Sequence, residues 1–148
     1  MCTFTIEGKV VHNLTPHTIN WVRDDGTMMV IPPCLSPFRL TSQDVPLIQV
    51  SQPVHDTLEQ LKNSPLALSI TLKHLQPPDP LPDVFYQEGI CIVSLPALQG
   101  LVTAGYRQED FVALLVAPDT DKGAIRNEKG DIVGTRGFVT LLTFVQRR

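Results

Sequence analysis

The sequence predicts an α+β fold: an antiparallel β-sheet of short strands with two small helices. Runs of alternating apolar and polar residues recur along the chain, the two-residue period of a half-buried strand. Clusters of Gly, Pro, Asp and Asn, such as Asp24-Asp25-Gly26-Thr27, separate those runs and mark turns. Only two segments, Val54 to Lys62 and Pro96 to Ala104, read as helices.

The elements follow in order. Val10 to Arg23 alternates through Val10, His12 and Leu14, then Thr18, Asn20 and Val22, and is broken at Thr15-Pro16. Proline cannot donate to a sheet ladder, so this is a strand, a kink or bulge, and a second strand. The Asp-Asp-Gly-Thr turn returns the chain into Met28 to Ile31, which Pro32-Pro33 ends. Phe38 to Thr41 is a further short strand, and Pro46 to Ser51 an edge strand. Val54, Leu58 and Leu61 lie at helical spacing, with Pro53 suited to the first helical position. Leu66, Leu68, Ile70 and Leu72 alternate with Ala67, Ser69, Thr71 and Lys73, the clearest strand pattern in the chain. Residues 76–83, QPPDPLPD, hold four prolines and predict an exposed extended loop. Gly89 to Ser94 reads as a buried strand, and Pro96 to Ala104 as a short helix closed by Gly105. Phe111 to Val116 is a dense apolar run, Ala124 to Val133 a β-hairpin and Phe138 to Val145 a terminal strand. There is no internal repeat, and residues 1–148 are expected to form one domain.

Composition narrows the function. Hydrophobic residues make up 43% and charged residues 18%, which suits an ordinary packed core. A net charge of −3 argues against non-specific nucleic-acid binding, which needs a basic face. No apolar run approaches the ~20 residues of a membrane span. The N-terminus has neither a basic start nor a hydrophobic stretch, so the cytoplasm is expected. The three cysteines, Cys2, Cys34 and Cys91, are far apart and odd in number, consistent with reduced thiols.

Catalytic signatures are missing. The histidines and cysteines lack zinc-ligand spacing, and there is no Gly-x-Ser-x-Gly, phosphate-binding Gly-rich loop or dinucleotide fingerprint. Cys91 lies inside Ile90-Cys91-Ile92-Val93 and reads as an inert core thiol. Neither a metal nor a cofactor is expected. A small hydrolase using His17 or Asp110 as base ranks last, because no nucleophile accompanies them.

Binding is the better expectation. Arg126 precedes the turn Asn127-Glu128-Lys129-Gly130-Asp131, and Arg136 follows the second strand of that hairpin. Guanidinium groups on a rigid hairpin suit bidentate recognition of phosphate or carboxylate. Arg107 with Asp110 reads equally as a site or as a local salt bridge. Asn13, Thr15 and His17 either contact a ligand or satisfy backbone groups around Pro16. Tyr106 and Trp21 serve as stacking surfaces or as core aromatics.

Asn-Leu-Thr-Pro-His at 13–17 and Ile31-Pro32-Pro33 resemble the opening of a group of small phage, bacterial and fungal proteins. Ile92-Val93-Ser94, Gly105-Tyr106-Arg107 with Asp110, Ala117-Pro118-Asp119-Thr120, Ile125-Arg126-Asn127 to Gly134 and Arg136-Gly137-Phe138 resemble its later blocks, in the same order. In these blocks the chain also resembles the phage Thoeris anti-defence sponges, which bind a cyclic ADP-ribose-type signal without cleaving it and assemble as oligomers. The resemblance implies sequestration of a nucleotide second messenger by a homo-oligomer, with Arg126 and Asn127 carried over at the matched hairpin. The stretch from Asp44 to Phe85 departs from the group's compact middle, so nothing carries over from it. The resulting expectation is a non-catalytic binder of a small anionic nucleotide-like molecule, with Arg126, Asn127, Arg107, Arg136, Tyr106 and Asn13 at its site. The alternative is a protein–protein interaction or structural module without such a ligand.

Overall fold

Glu7 and Gly8 both take positive φ (53° and 81°), folding strand β1 (Phe4–Ile6) back onto β2 (Lys9–Asn13) through a two-residue turn. In the computed structural model, which describes residues 4–34, 36–120 and 122–141, β3 (Ile19–Val22) and β4 (Met28–Ile31) follow as a second hairpin. Then come β5 (Thr41–Pro46), helix α1 (Asp56–Lys62), β6 (Thr71–Gln76), β7 (Ile90–Ile92) and helix α2 (Leu95–Thr103). The described residues close with β8 (Leu114–Pro118), β9 (Ala124–Arg126), β10 (Ile132–Thr135) and β11 (Phe138–Thr140). The class is α+β. The rest of the expected strand to Val145 lies outside the described residues, as does Cys2.

Residues Leu40–Gln76 form a compact unit of their own, and the segments before and after them build another. The expectation from sequence was one domain. The larger unit holds a five-stranded sheet in the order β1-β2-β7-β8-β11 and a four-stranded sheet in the order β4-β3-β10-β9. Both are mixed rather than purely antiparallel: β2, β7 and β8 run parallel, and so do β3 and β10. Helix α2, between β7 and β8, supplies the crossover that a parallel pair requires. Ser94 Oγ caps it by accepting from Ala97 N at 3.2 Å, and Gly105 follows it at φ 96°, as its glycine predicts.

Successive strand residues point to opposite faces, and here both faces of the five-stranded sheet are covered. Cys91, Leu115 and Ala117 join Ala97, Leu98 and Leu101 of α2 and the rings of Phe38, Phe85 and Phe111 in one core. Their strand neighbours Ile92 and Val116 join Val11 with Ile19 and Ile31 of the four-stranded sheet in a second. Double burial is why β7 and β8 read as continuous apolar runs. The proline loop is not wholly exposed, since Leu81 is anchored in the first core.

In the smaller unit β5 and β6 pair antiparallel from Thr41↔Gln76 to Pro46↔Thr71. The expected strand at Phe38 thus begins only at Thr41, and Pro46 to Ser51 continues as a 3-10 turn at Leu47–Gln49. Helix α1 starts at Asp56 instead of after Pro53, because His55 Nδ1 accepts from Thr57 N at 3.1 Å and sets the cap there. The alternating stretch from Leu66 is another correction. Ser64 Oγ accepts from Leu66 N, Pro65 occupies the first turn, and Pro65–Ser69 winds as a 3-10 helix before β6 begins. Alternation over so few residues does not separate the two conformations.

Candidate functional site

Asn13 is 1% exposed, and all four of its side-chain hydrogen-bonding positions are used. Its Nδ2 donates to the carbonyls of His17 (2.9 Å) and Ile31 (3.0 Å). Its Oδ1 accepts from the Thr15 backbone N–H (3.0 Å) and hydroxyl (2.7 Å). Thr15 Oγ1 also reaches the His17 carbonyl at 2.9 Å. The buried Asn13 and Thr15 side chains are therefore a staple that carries the chain past exposed Pro16 and ties it to β4. Asn13 is withdrawn from the ligand site, because no donor or acceptor is left over.

The turn after β9 consumes the next two candidates. Asn127 Oδ1 accepts from the backbone N–H groups of Lys129 (2.9 Å) and Asp131 (3.0 Å). The Asn127 and Asp131 backbones pair at 3.0 Å, and the Arg126 guanidinium donates to the Gly130 carbonyl at 2.7 Å. Both side chains thus brace their own turn. Arg136 lies at the far end of the same hairpin, where its backbone N–H donates to the Gly123 carbonyl at 2.8 Å. The ladder pairs Ile132 with Arg126 but Thr135 with Ala124, so the two arginines do not converge.

Arg107 and Tyr106 lie elsewhere, in the segment after α2. Asp110 accepts from the Arg107 backbone N–H at 2.7 Å, while the guanidinium stands 3.8 Å from exposed Glu109. Tyr106 packs on the first core, its ring 5.7 Å from that of Phe111. It is a core aromatic.

Arg136 does meet partners. Trp21, Arg23, Asp24, Asp25 and Arg136 line an open cleft of about 370 Å³. The parallel pairing of Thr135 with Trp21 brings the ends of β10 and β3 together there. Trp21 packs edge-on against Phe138, with centroids 5.9 Å apart, and Arg23 lies over its ring at 5.6 Å. The loop holding Arg136 is pinned by Thr135 Oγ1 donating to the Gly137 carbonyl at 2.8 Å. Asp25 accepts from the Thr27 hydroxyl (2.6 Å) and backbone N–H (2.9 Å), and these bonds hold its carboxyl below the usual 3.8. Among the described residues, neither Arg136 nor Asp24 has an ion pair. The sequence named Trp21 and Arg136 but not Arg23. Its signal was the two-residue spacing from Trp21, which puts both side chains on one side of the strand.

The described cysteines sit away from any surface chemistry. Cys34 and Cys91 are both buried. Burial pushes the Cys91 thiol up to about 12, and its Sγ approaches the Val84 carbonyl at 3.6 Å. Among the described residues no group of three or more His, Cys, Asp or Glu side chains is placed to hold a metal ion. No helix among them is long and apolar enough to cross a membrane.

No family model, curated protein or solved structure matches the chain.

Proposed function

We propose that this protein binds a small phosphate-bearing molecule and holds it without cleaving it, as a sequestering protein for a cyclic nucleotide-type signal. One observation carries the reading: two arginines from different segments line a single cleft of about 370 Å³ together with Trp21. That volume lies within the range of small-ligand pockets. Guanidinium forks suit phosphate oxygens, and an indole suits a base. The resemblance of the 13–17 and 124–138 blocks to sponge-type proteins accords with this reading. The site sits at Arg136 and Arg23 rather than at Arg126. A cytoplasmic location and a homo-oligomeric state are part of the proposal.

Trp21 is the single tryptophan of the chain and reports directly on the cleft. Titration with cyclic nucleotides is expected to change its emission saturably, and denaturation to release the ligand intact. Arg136→Ala is expected to weaken binding by about 1.5–3 kcal/mol, the scale of a charge-assisted hydrogen bond. Unchanged affinity in the folded variant removes Arg136 from the site, and recovery of a hydrolysed product makes the protein an enzyme.

A second reading, docking of a protein partner, has its own observation. Val54, Leu66 and Leu68 of the smaller unit are exposed at 101%, 60% and 77%. Native mass spectrometry separates the two: a small bound mass favours the ligand, a bound polypeptide the partner.

A further inference from the structure

We infer that the Trp21 cleft selects phosphodiesters that carry a free hydroxyl over phosphate monoesters and polyphosphates, and that Asp24 is the residue that sets this preference. The inference rests on the proposed anion site and adds its ligand class. The cleft is not simply basic. Its two guanidinium groups, Arg23 and Arg136, are matched by two carboxylates, Asp24 and Asp25. The lining therefore carries no net formal charge. A lining without net charge gives a dianion no extra attraction to offset its larger desolvation cost, which favours a guest with a single charge and its own hydrogen-bond donors. A phosphodiester keeps a single charge, whereas a monoester approaches two at neutral pH. Each added charge meets the same carboxylates.

The two aspartates are not equivalent. Asp25 Oδ1 is committed to Thr27, accepting from both its backbone N–H and its hydroxyl. That bond pattern fixes the β3–β4 turn. Asp24 has no hydrogen bond or ion pair among the described residues, although it shares the cleft with two guanidinium groups. A carboxylate can only accept, so what it offers a ligand is a place for a donor such as a ribose hydroxyl. Phosphate recognition by Arg23 and Arg136 and hydroxyl recognition by Asp24 are thus separate contributions within one lining.

The test uses the full chain and the emission of Trp21. The probes are cyclic AMP, its deoxy analogue lacking the sugar hydroxyl, AMP and inorganic pyrophosphate. Wild-type protein is expected to bind cyclic AMP more tightly than AMP or pyrophosphate, and roughly tenfold more tightly than the deoxy analogue. Asp24→Asn keeps the shape and removes the charge. It is expected to improve AMP binding about fivefold, the scale of one Coulomb contact near water, and to narrow the gap between cyclic AMP and its deoxy analogue. Tighter wild-type binding of AMP than of cyclic AMP, with binding still lost in Arg136→Ala, overturns the preference and leaves the anion site standing. Equal effects of Asp24→Asn on all four probes overturn the role of Asp24. Failure of every probe to bind overturns both the site and its selectivity.

Discussion

Asn13 shows how one side chain can hold two strands in register. Replacing it with alanine leaves the Ile31 and His17 carbonyls without its amide and the Thr15 N–H without its acceptor. The expected loss is about 1–3 kcal/mol, read by urea denaturation, with cleft affinity unchanged in the folded fraction. Asp25 carries a pH signature. Its folded pKa is lowered by the Thr27 bonds, so its contribution is full above the unfolded value near 3.8 and is lost as pH falls through the lower folded value. The Thr27 amide resonance is expected to titrate with a midpoint below 3.8, and a midpoint at or above it refutes the cap. Cys91 behaves in the opposite sense: with its thiol pushed up to about 12, the fold favours the neutral form, and that stability is present below the ordinary value near 9 and lost as pH rises towards 12. A thiol raised from about 9 to about 12 makes native Cys91 roughly a thousandfold poorer in thiolate at pH 8. Alkylation of Cys91 in the native protein, followed by peptide mapping, is expected to be slowed by orders of magnitude against the unfolded chain. Of the cleft residues, Trp21 and Arg136 stood out in the sequence, whereas Arg23 and the turn aspartates did not. Their meeting was not legible there, because it depends on a parallel pairing between β3 and β10, strands from opposite ends of the chain.

At the scale of elements, close backbone approach sets some positions absolutely. Gly89 has φ 136°, and a Cβ there would lie 2.6 Å from the Val10 carbonyl oxygen, where β7 joins β2. Gly89→Ala is expected to cost at least about 1–3 kcal/mol, measured by thermal or urea unfolding. Gly134 is tight for a related reason: its Cβ would stand 3.0 Å from the Asn20 carbonyl oxygen, beside the irregular pairing of β10 with β9. Strands ended by loud turn signals, such as β3 and β4 around Asp24-Asp25-Gly26, were readable to within a residue or so. Strand β1 was missed because its turn uses Glu7 at positive φ, where sequence leads one to look for Asn, Asp or Gly. The Leu66 stretch was misread because local capping by Ser64 and Pro65 outweighed an alternation only a few residues long. The hairpin at Arg126 was readable as an element but not as a bracing device, since the Gly130 carbonyl becomes an acceptor only once the turn has closed.

At the scale of the whole molecule, both hydrophobic cores of the larger unit are built without a single residue from Leu40–Gln76. Replacing that segment by a few glycines is expected to leave a folded protein whose Trp21 emission and far-ultraviolet spectrum persist. Loss of cooperative unfolding in that variant refutes the independence of the larger unit. The division was not legible beforehand, because composition changes little across residues 40–76 and the prolines at 77–82 look like an ordinary loop. What separates the units is long-range pairing, which a local pattern does not report. Thr41 faces Gln76 across the β5–β6 ladder, so the polypeptide departs and returns at neighbouring points. That stem closes its own ring, and whatever is spliced beyond it adds little loop-closure entropy to the rest of the chain. The segment beyond this β5–β6 stem is therefore the natural graft point of the molecule, where foreign sequence can be inserted or exchanged while the β3–β10 junction stays intact.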